Sequence, residues 1–262
     1  IKNLDMVVED DLLDKIKRDY KKYEVEKKPL EYILWSVTFF DRSFVVNEHT
    51  LIPRPETEYM IEAVNQFIQS SDDSFTVIDI GTWCWVLWIS VYLENTQSIS
   101  KLIFTDISEK ALEVARWNAE TFLSNGEYTF RFFESSLLDF VPNCWINILN
   151  PFVLIANLPY IPEKVFYDNT DRSVIDHEPH MAFVWGEDWL DWYRKLLNQL
   201  LILIEKWLVY NWTLFFEMMT WQMDIIDQEY NNDFVFREVK TFHFQILIFN
   251  LNVNNNKSAA LK

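Results

Sequence analysis

Polar and apolar positions alternate in blocks along the chain, and the period of each block predicts its element. From Asp10 to Tyr23 a charged stretch carries Leu12, Leu13, Ile16 and Tyr20 at helical spacing, which predicts an amphipathic helix that Pro29 ends. Phe39–Phe40 and Phe44–Val46 flank a polar turn and predict a β-hairpin. Pro53 and Pro55 keep the next stretch extended, and Thr57 reads as the start signal of a helix running to Phe67. Strands are then expected at Thr76–Ile80, Leu102–Thr105, Tyr128–Phe133 and Val153–Ala156, with helices at Val86–Leu93 and Glu109–Phe122. A helix over Asp188–Ile204, a strand over Thr213–Glu217, a helix over Gln222–Tyr230 and two closing strands, Phe234–Val239 and His243–Asn250, complete the pattern. Such alternation implies an α/β fold with a mainly parallel sheet covered on both faces, and ligands of these sheets bind beyond the carboxyl ends of the strands. The polar tail 254–262 is expected to be disordered.

Composition narrows the function. The chain has 262 residues, half of them apolar, enough for one large domain or one domain plus a small appendage. A formal net charge of -17 argues against holding nucleic acid by phosphate neutralisation and is compatible with an acidic enzyme acting on a basic protein. Cys84 and Cys144 are the only cysteines, which reads as a reduced, cytoplasmic protein without a disulfide framework. No apolar run is long enough to span a bilayer and no signal peptide is visible. The chain starts at Ile1 rather than Met, as a fragment would. His49, His177, His180 and His243 lack metal-ligand spacing, so no metal is expected, and His177 and His180 are placed on a surface loop.

One count is abnormal: three glycines against twelve tryptophans. At the usual glycine frequency of about 7%, roughly eighteen are expected. The strand Thr76–Ile80 ends in Asp79-Ile80-Gly81-Thr82-Trp83-Cys84-Trp85, where a ligand must approach the backbone closely and glycines are expected at 81, 83 and 85. The next strand ends at Asp106, an acid placed to accept hydrogen bonds from both ribose hydroxyls of an adenine nucleoside. Alone, this loop is equally well a structural turn followed by a helix-capping Asp.

Reading Trp83 and Trp85 as glycine turns the loop into Asp-Ile-Gly-Thr-Gly-Cys-Gly, the methyltransferase pattern D-x-G-x-G-x-G. The same substitution turns 30–35 into L-E-Y-I-L-G, 185–191 into G-G-E-D-G-L-D and 211–213 into N-G-T. These repairs fall at turn positions, and three glycines plus twelve make fifteen, close to a normal count. They imply a gene in which UGA specifies glycine and was read as tryptophan. Trp88, Trp117, Trp145, Trp192, Trp207 and Trp221 are less diagnostic.

The strand Val153–Ala156 runs into Asn157-Leu158-Pro159-Tyr160, which resembles the N-P-P-Y motif of methyltransferases that act on amide or exocyclic amino nitrogens. An amide nitrogen is a poor nucleophile because its lone pair is delocalised. The Asn157 side-chain oxygen and the carbonyl of Leu158 can accept its two N–H bonds, orient it for in-line attack on a sulfonium methyl and stabilise the developing charge. Tyr160 can pack against the planar group, and no general base is required. Leu158 departs from the commoner Pro, and N-L-P-Y also resembles ribosomal-RNA adenine dimethyltransferases, so the motif leaves the substrate open.

Three strings separate the substrates. Asn47–Glu58 resembles the N-E-x-x-L-I-P-R-P-E-T-E signature of the PrmC/HemK family. Thr105-Asp106-Ile107-Ser108, followed by Ala111–Arg116 and Asn118-Ala119, is similar to the family's ribose-binding strand and the helix after it. Glu178-Pro179, Ala182 and 185–191 resemble its E-P-x-x-A-L-x-G-G-x-D-G-L-D segment. The resemblance covers about residues 28–250.

It implies a class I S-adenosylmethionine-dependent methyltransferase, Rossmann-like with a seven-stranded, mainly parallel sheet, preceded by a truncated N-terminal helical segment and a β-hairpin linker. The domains implied are 1–28, a remnant of a release-factor-docking domain; 29–56, the linker; 57–253, the catalytic domain; and 254–262, the tail. S-adenosyl-L-methionine is the implied donor, held by Asp79, Gly81, Thr82, Trp83, Cys84, Trp85, Asp106, Leu137 and Asn157. Catalysis falls to Asn157, Leu158, Pro159 and Tyr160, and substrate binding to Arg54, Glu56, Asn157 and Tyr160. The implied acceptor is the glutamine of the Gly-Gly-Gln motif of class 1 peptide chain release factors, met by a monomer without nucleic acid or membrane. Two alternatives stand: an N6-adenine methyltransferase acting on rRNA or DNA, and, if the tryptophans are literal, a binding module whose cofactor cleft is blocked.

Overall fold

The computed structural model describes residues 10–83, 86–123, 129–143, 151–161, 163–184, 190–207, 212–240 and 245–251. Cys84, Trp85, Cys144, the string 185–189, His243 and the tail 254–262 lie outside them.

The chain opens with α1 (Asp10–Glu24) and the short α2 (Leu30–Leu34). No residue of α1 is buried, and Leu12, Ile16 and Tyr20 form an exposed apolar stripe. A hairpin of β1 (Val37–Phe39) and β2 (Arg42–Phe44) follows. Its strands sit closer to the turn than the sequence predicts. The turn is Phe40–Asp41, with φ of 45° and 59°, the both-positive backbone of a tight two-residue hairpin. Beyond Phe44 the chain leaves the ladder because Asn118 takes both backbone groups of Val45, at 2.8 and 2.9 Å.

The remainder alternates as expected: α3 (Thr57–Gln69), β3 (Phe75–Ile80), α4 (Val86–Glu94), β4 (Ile99–Asp106), α5 (Glu109–Leu123), β5 (Thr129–Glu134) and β6 (Phe152–Ala156). Two short helices that the sequence pattern did not announce come next, α6 (Glu163–Asn169) and α7 (Arg172–His177). His177 therefore ends a helix and His180 opens a 3-10 turn, rather than both lying on a loop. Then come α8 (Asp191–Trp207), β7 (Trp212–Met218), α9 (Thr220–Tyr230), β8 (Val235–Lys240) and β9 (Gln245–Leu251). Trp212 is the first residue of β7, not of a turn before it: it is buried and stacks on Phe152 with ring centroids 4.4 Å apart.

The seven-stranded sheet has the order β5-β4-β3-β6-β7-β9-β8. The first five strands are parallel, and β9 runs antiparallel to both neighbours. Side chains alternate between its two faces. Val77, Phe104, Val153, Ile155 and Phe215 face one core with α3, α4 and α5. Ile78, Ile103, Leu154, Ala156, Leu214 and Phe216 face the other with α8 and α9. With both faces covered, β6 reads as an unbroken apolar run, and β3 and β7 are buried throughout although Thr76, Asp79, Thr213 and Glu217 interrupt them. Strand order reverses between β3 and β6, so the crevice beyond their carboxyl ends is the expected ligand position.

Candidate active site

Five strand ends, those of β3, β4, β5, β6 and β7, meet at that crevice. The loop after β3 starts at Gly81, whose φ of 70° favours glycine, and a Cβ there would lie 3.4 Å from Leu158 Cδ2. The left-handed backbone, more than the space beside it, is what calls for glycine at 81. Asp79 lies beneath this loop, 2% exposed, rather than in either of the clefts described below. Burial pushes its carboxyl up to about 8, partly offset by the Thr82 and Trp88 side chains.

At the end of β4, Asp106 is also 2% exposed. Its Oδ1 accepts the Ser108 N–H at 2.8 Å and its Oδ2 accepts the Trp83 N–H at 3.1 Å. Burial raises it to about 6 and those backbone donors hold it down, so it is mainly ionised at neutral pH. Asp106 opens onto a cleft of about 420 Å³ lined also by Gly81, Ile107, Leu137, Leu158, Pro159 and Met181. Leu137 sits in the loop after β5 with φ 56°. Trp83 lines this cleft too, with φ 46°, and its buried Nε1 has no hydrogen-bond partner.

The second cleft, about 460 Å³, is lined by Arg54, Asn157, Leu158, Pro159, Tyr160, Phe183 and Glu217 among others. Leu158 and Pro159 line both, so the two clefts abut. Parallel pairing of Ala156 with Phe216 sets Asn157 beside Glu217, and Asn157 Nδ2 donates to Glu217 Oε2 at 3.0 Å. Tyr160 Oη lies 3.4 Å from Glu217 Oε1, and Tyr193 from α8 donates to the Glu217 carbonyl. Burial raises the Tyr160 and Tyr193 phenols above their ordinary value, so both remain neutral donors. The Leu158 carbonyl has only a long contact, 3.4 Å from Tyr193 Oη.

Arg54 reaches this cleft but is already paired, its Nη2 2.7 Å from Glu178 Oε1. Glu178 also accepts the Ile52 N–H at 3.1 Å and thereby pins the Pro53–Pro55 strap across the site. Glu56 is the residue before α3 and gives no side-chain cap; its charge raises the Glu217 and Tyr160 pKa values. Thr57 is not a cap either: its Oγ1 lies 3.4 Å from Glu217 Oε2. The residues that sequence reading missed are Glu217, Tyr193 and Gln222, whose Nε2 lies 3.4 Å from the Tyr160 carbonyl. One signal could have found Glu217: a carboxylate at the end of an otherwise apolar central strand, adjacent to the strand that carries Asn157.

No protein-family model matches the chain. The catalytic domain of hMettl16, solved in complex with MAT2A 3'UTR hairpin 6, superposes with a TM-score of 0.59 at 12% identity, covering 96% of this chain and 87% of its own. That likeness carries the class I methyltransferase fold alone. By sequence, the release factor glutamine methyltransferase of Bacillus anthracis is 35% identical over 192 residues, 70% of this chain and 62% of its own length. That of Bacillus subtilis is 32% identical over 201 residues, 71% and 63% respectively. That of Mycoplasma mycoides subsp. mycoides is 34% identical over 193 residues, 73% and 61%. The chain thus spans about 62% of the length of the first of these relatives. Together with the strand order and the paired clefts at the switch point, these likenesses make the chain similar to the release factor glutamine methyltransferases of the PrmC/HemK family.

Proposed function

We propose that the chain transfers a methyl group from S-adenosyl-L-methionine to a side-chain amide nitrogen, that of the glutamine in the Gly-Gly-Gln motif of class 1 peptide chain release factors. The observation that carries this reading is the abutment of the two clefts across Leu158 and Pro159, with an ionised acid in one and an amide side chain in the other. When bound, the donor supplies an electrophilic methyl. Asp106 retains lone pairs for ribose hydroxyls, Gly81 leaves its backbone open, and Leu137 offers an apolar wall. Asn157 Oδ1 and the Leu158 carbonyl accept the N–H bonds of the incoming amide, and Tyr160 packs on its plane. The acidic chain suits a basic protein partner better than RNA or DNA. The protein acts as a cytoplasmic monomer, with 1–28 as a docking segment, 29–56 as a linker and 57–253 as the catalytic domain.

Trp83 does not fit the donor. Its side chain stands in the Asp106 cleft and also lines a third, neighbouring cleft with Arg54 and Asn157. The working residue at 83 is glycine, as at 85 and 35, encoded by a UGA codon that this chain reads as tryptophan. Three observations support this. Trp83 has a left-handed backbone that costs a bulky residue about 1–3 kcal/mol. Its indole N–H is buried without an acceptor. Trp35 ends α2 with φ 57° and ψ 27°, the residue that closes a helix as glycine usually does, and its side chain is exposed. Trp88 and Trp212 share the buried, unpartnered indole nitrogen and differ in backbone: both are packed in regular elements. Mass spectrometry of the protein from its native host should find glycine at 35 and 83; tryptophan in those peptides overturns the assignment.

The activity test uses the chain with glycine at 83 and 85, a release factor containing Gly-Gly-Gln and isotopically labelled donor. One added methyl on that glutamine is expected. Donor binding without any modification of the factor refutes the acceptor, and labelling of RNA or DNA instead would favour the adenine reading.

A further inference from the structure

Glu217 comes 60 residues after Asn157, yet its carboxylate meets the Asn157 amide at 3.0 Å, 6% exposed and surrounded by the groups that shape the second cleft. An amide side chain can present either its oxygen or its nitrogen to a ligand, and only its partners decide which. An ionised carboxylate accepts and cannot donate. Facing Glu217, Asn157 must therefore turn Nδ2 toward it, which leaves Oδ1 as the group free to accept from a ligand.

We infer that Glu217 is the positioning residue of this site: its ionised carboxylate sets the flip of the Asn157 amide and so makes the cleft accept N–H donors. The inference deepens the amide-methylation reading and rests on it for the identity of the acceptor, while the orientation of Asn157 rests on its 3.0 Å contact with Glu217 and on that carboxylate being ionised. A protonated Glu217 can donate to Oδ1, and the amide can then rotate and offer Nδ2 to the cleft. Such a site meets an amide acceptor with a donor where an acceptor is needed.

The groups around Glu217 bear on when this happens. Thr57 Oγ1, Asn157 Nδ2 and Tyr160 Oη face its oxygens, and the Tyr193 hydroxyl takes its backbone carbonyl. Glu56, from the segment before α3, repels its charge, and Arg54 of the same cleft is already committed to Glu178. Burial dominates and raises Glu217 to about 7. The positioned state is thus complete above neutral pH and fades as pH falls through about 7.

The first test needs neither donor nor acceptor. In the chain as it is, labelled at asparagine, the Asn157 side-chain amide resonances should titrate with a midpoint near 7, and Glu217→Gln should abolish that titration. A flat Asn157 signal in the chain with Glu217 intact, or an unchanged titration in Glu217→Gln, overturns the inference. The titration with Glu217 intact decides even if the variant does not fold.

The second test uses the chain with glycine at 83 and 85. Glu217→Gln should lower kcat for release-factor methylation by about 10²-fold, the scale of a misplaced reacting group, and leave the donor Kd unchanged. In the parent, kcat should fall on the acid side of about 7, and Glu217→Gln should lose that limb. A parent without activity would break the functional reading and leave the resonance test standing. A Glu217→Gln variant with full kcat would break the positioning role.

Discussion

The two walls of the crevice are built by opposite means. On the Asp106 wall, ligand room is made by backbone: Gly81 at φ 70°, Leu137 at φ 56°, and N–H groups that converge on one carboxylate. On the Asn157 wall, recognition is made by side chains, and other side chains from α3, β7 and α8 hold them. A wall of backbone works only while nothing projects from it, and the indole at 83 stands in this cleft. On the proposed reading the Asn157 wall tolerates Leu158 in place of the family's Pro, because the group it would use is a carbonyl that every residue carries.

The largest effect that would break this comparison is at position 83. Replacing Trp83 and Trp85 by glycine should convert a chain that binds no S-adenosylhomocysteine by calorimetry into one that binds it. Comparable affinity for both chains would mean that the loop does not touch the donor. Next is Asn157→Ala in the glycine-bearing chain, where loss of a preorganised acceptor should cut turnover about 10²–10³-fold. Its donor affinity should change little, which separates the two walls; a matching loss in both readouts would merge them.

Asp106→Ala should give the converse pattern, weakening donor binding by about 1–3 kcal/mol through lost charge-assisted hydrogen bonds, with the acceptor KM unaltered.

A smaller effect concerns pH. Asp79, Asp106 and Glu217 are raised to about 8, 6 and 7, chiefly by burial. A carboxyl whose folded pKa is raised stabilises the fold fully below its ordinary range, and that contribution is lost as pH rises through the folded value. Thermal stability should therefore decline from about pH 5 to about pH 8, and Asp79→Asn should flatten the upper part of the decline. An unchanged slope in that variant would show that Asp79 does not carry it.

The smallest is at Trp35, exposed and left-handed at the end of α2. Trp35→Gly should raise Tm by about 2–4 °C, the size of a relieved left-handed strain near 1 kcal/mol in a protein of this length. A fall in Tm would give the indole a packing role.

Much of this was legible in one dimension. The apolar runs of β3, β4, β6 and β7 identify a doubly covered parallel sheet, because a strand buried on both faces leaves no room for polar alternation. The strings Asp79–Trp83 and Asn157–Tyr160 mark two of the loops that meet in the crevice, since loop chemistry of that kind is local. Local pattern also has limits: the hairpin turn fell at Phe40–Asp41 because φ, not polarity, chose it, and α6 and α7 are too short to announce themselves by period.

What tertiary structure alone decided is which distant groups meet. Strand register joins Asn157 to Glu217, and a cross-site ion pair joins Arg54 to Glu178, 124 residues away in sequence. Arg54 and Glu56, equal members of one string in the sequence, part company for the same reason: the first is neutralised by a buried partner, while the second acts on the site only through its field. The order of residues determines which strands exist and what their loops carry. The pairing of those strands determines which charges are taken out of water together, and burial then sets the ionisation of Asp106 and Glu217 and, through Glu217, the flip of Asn157.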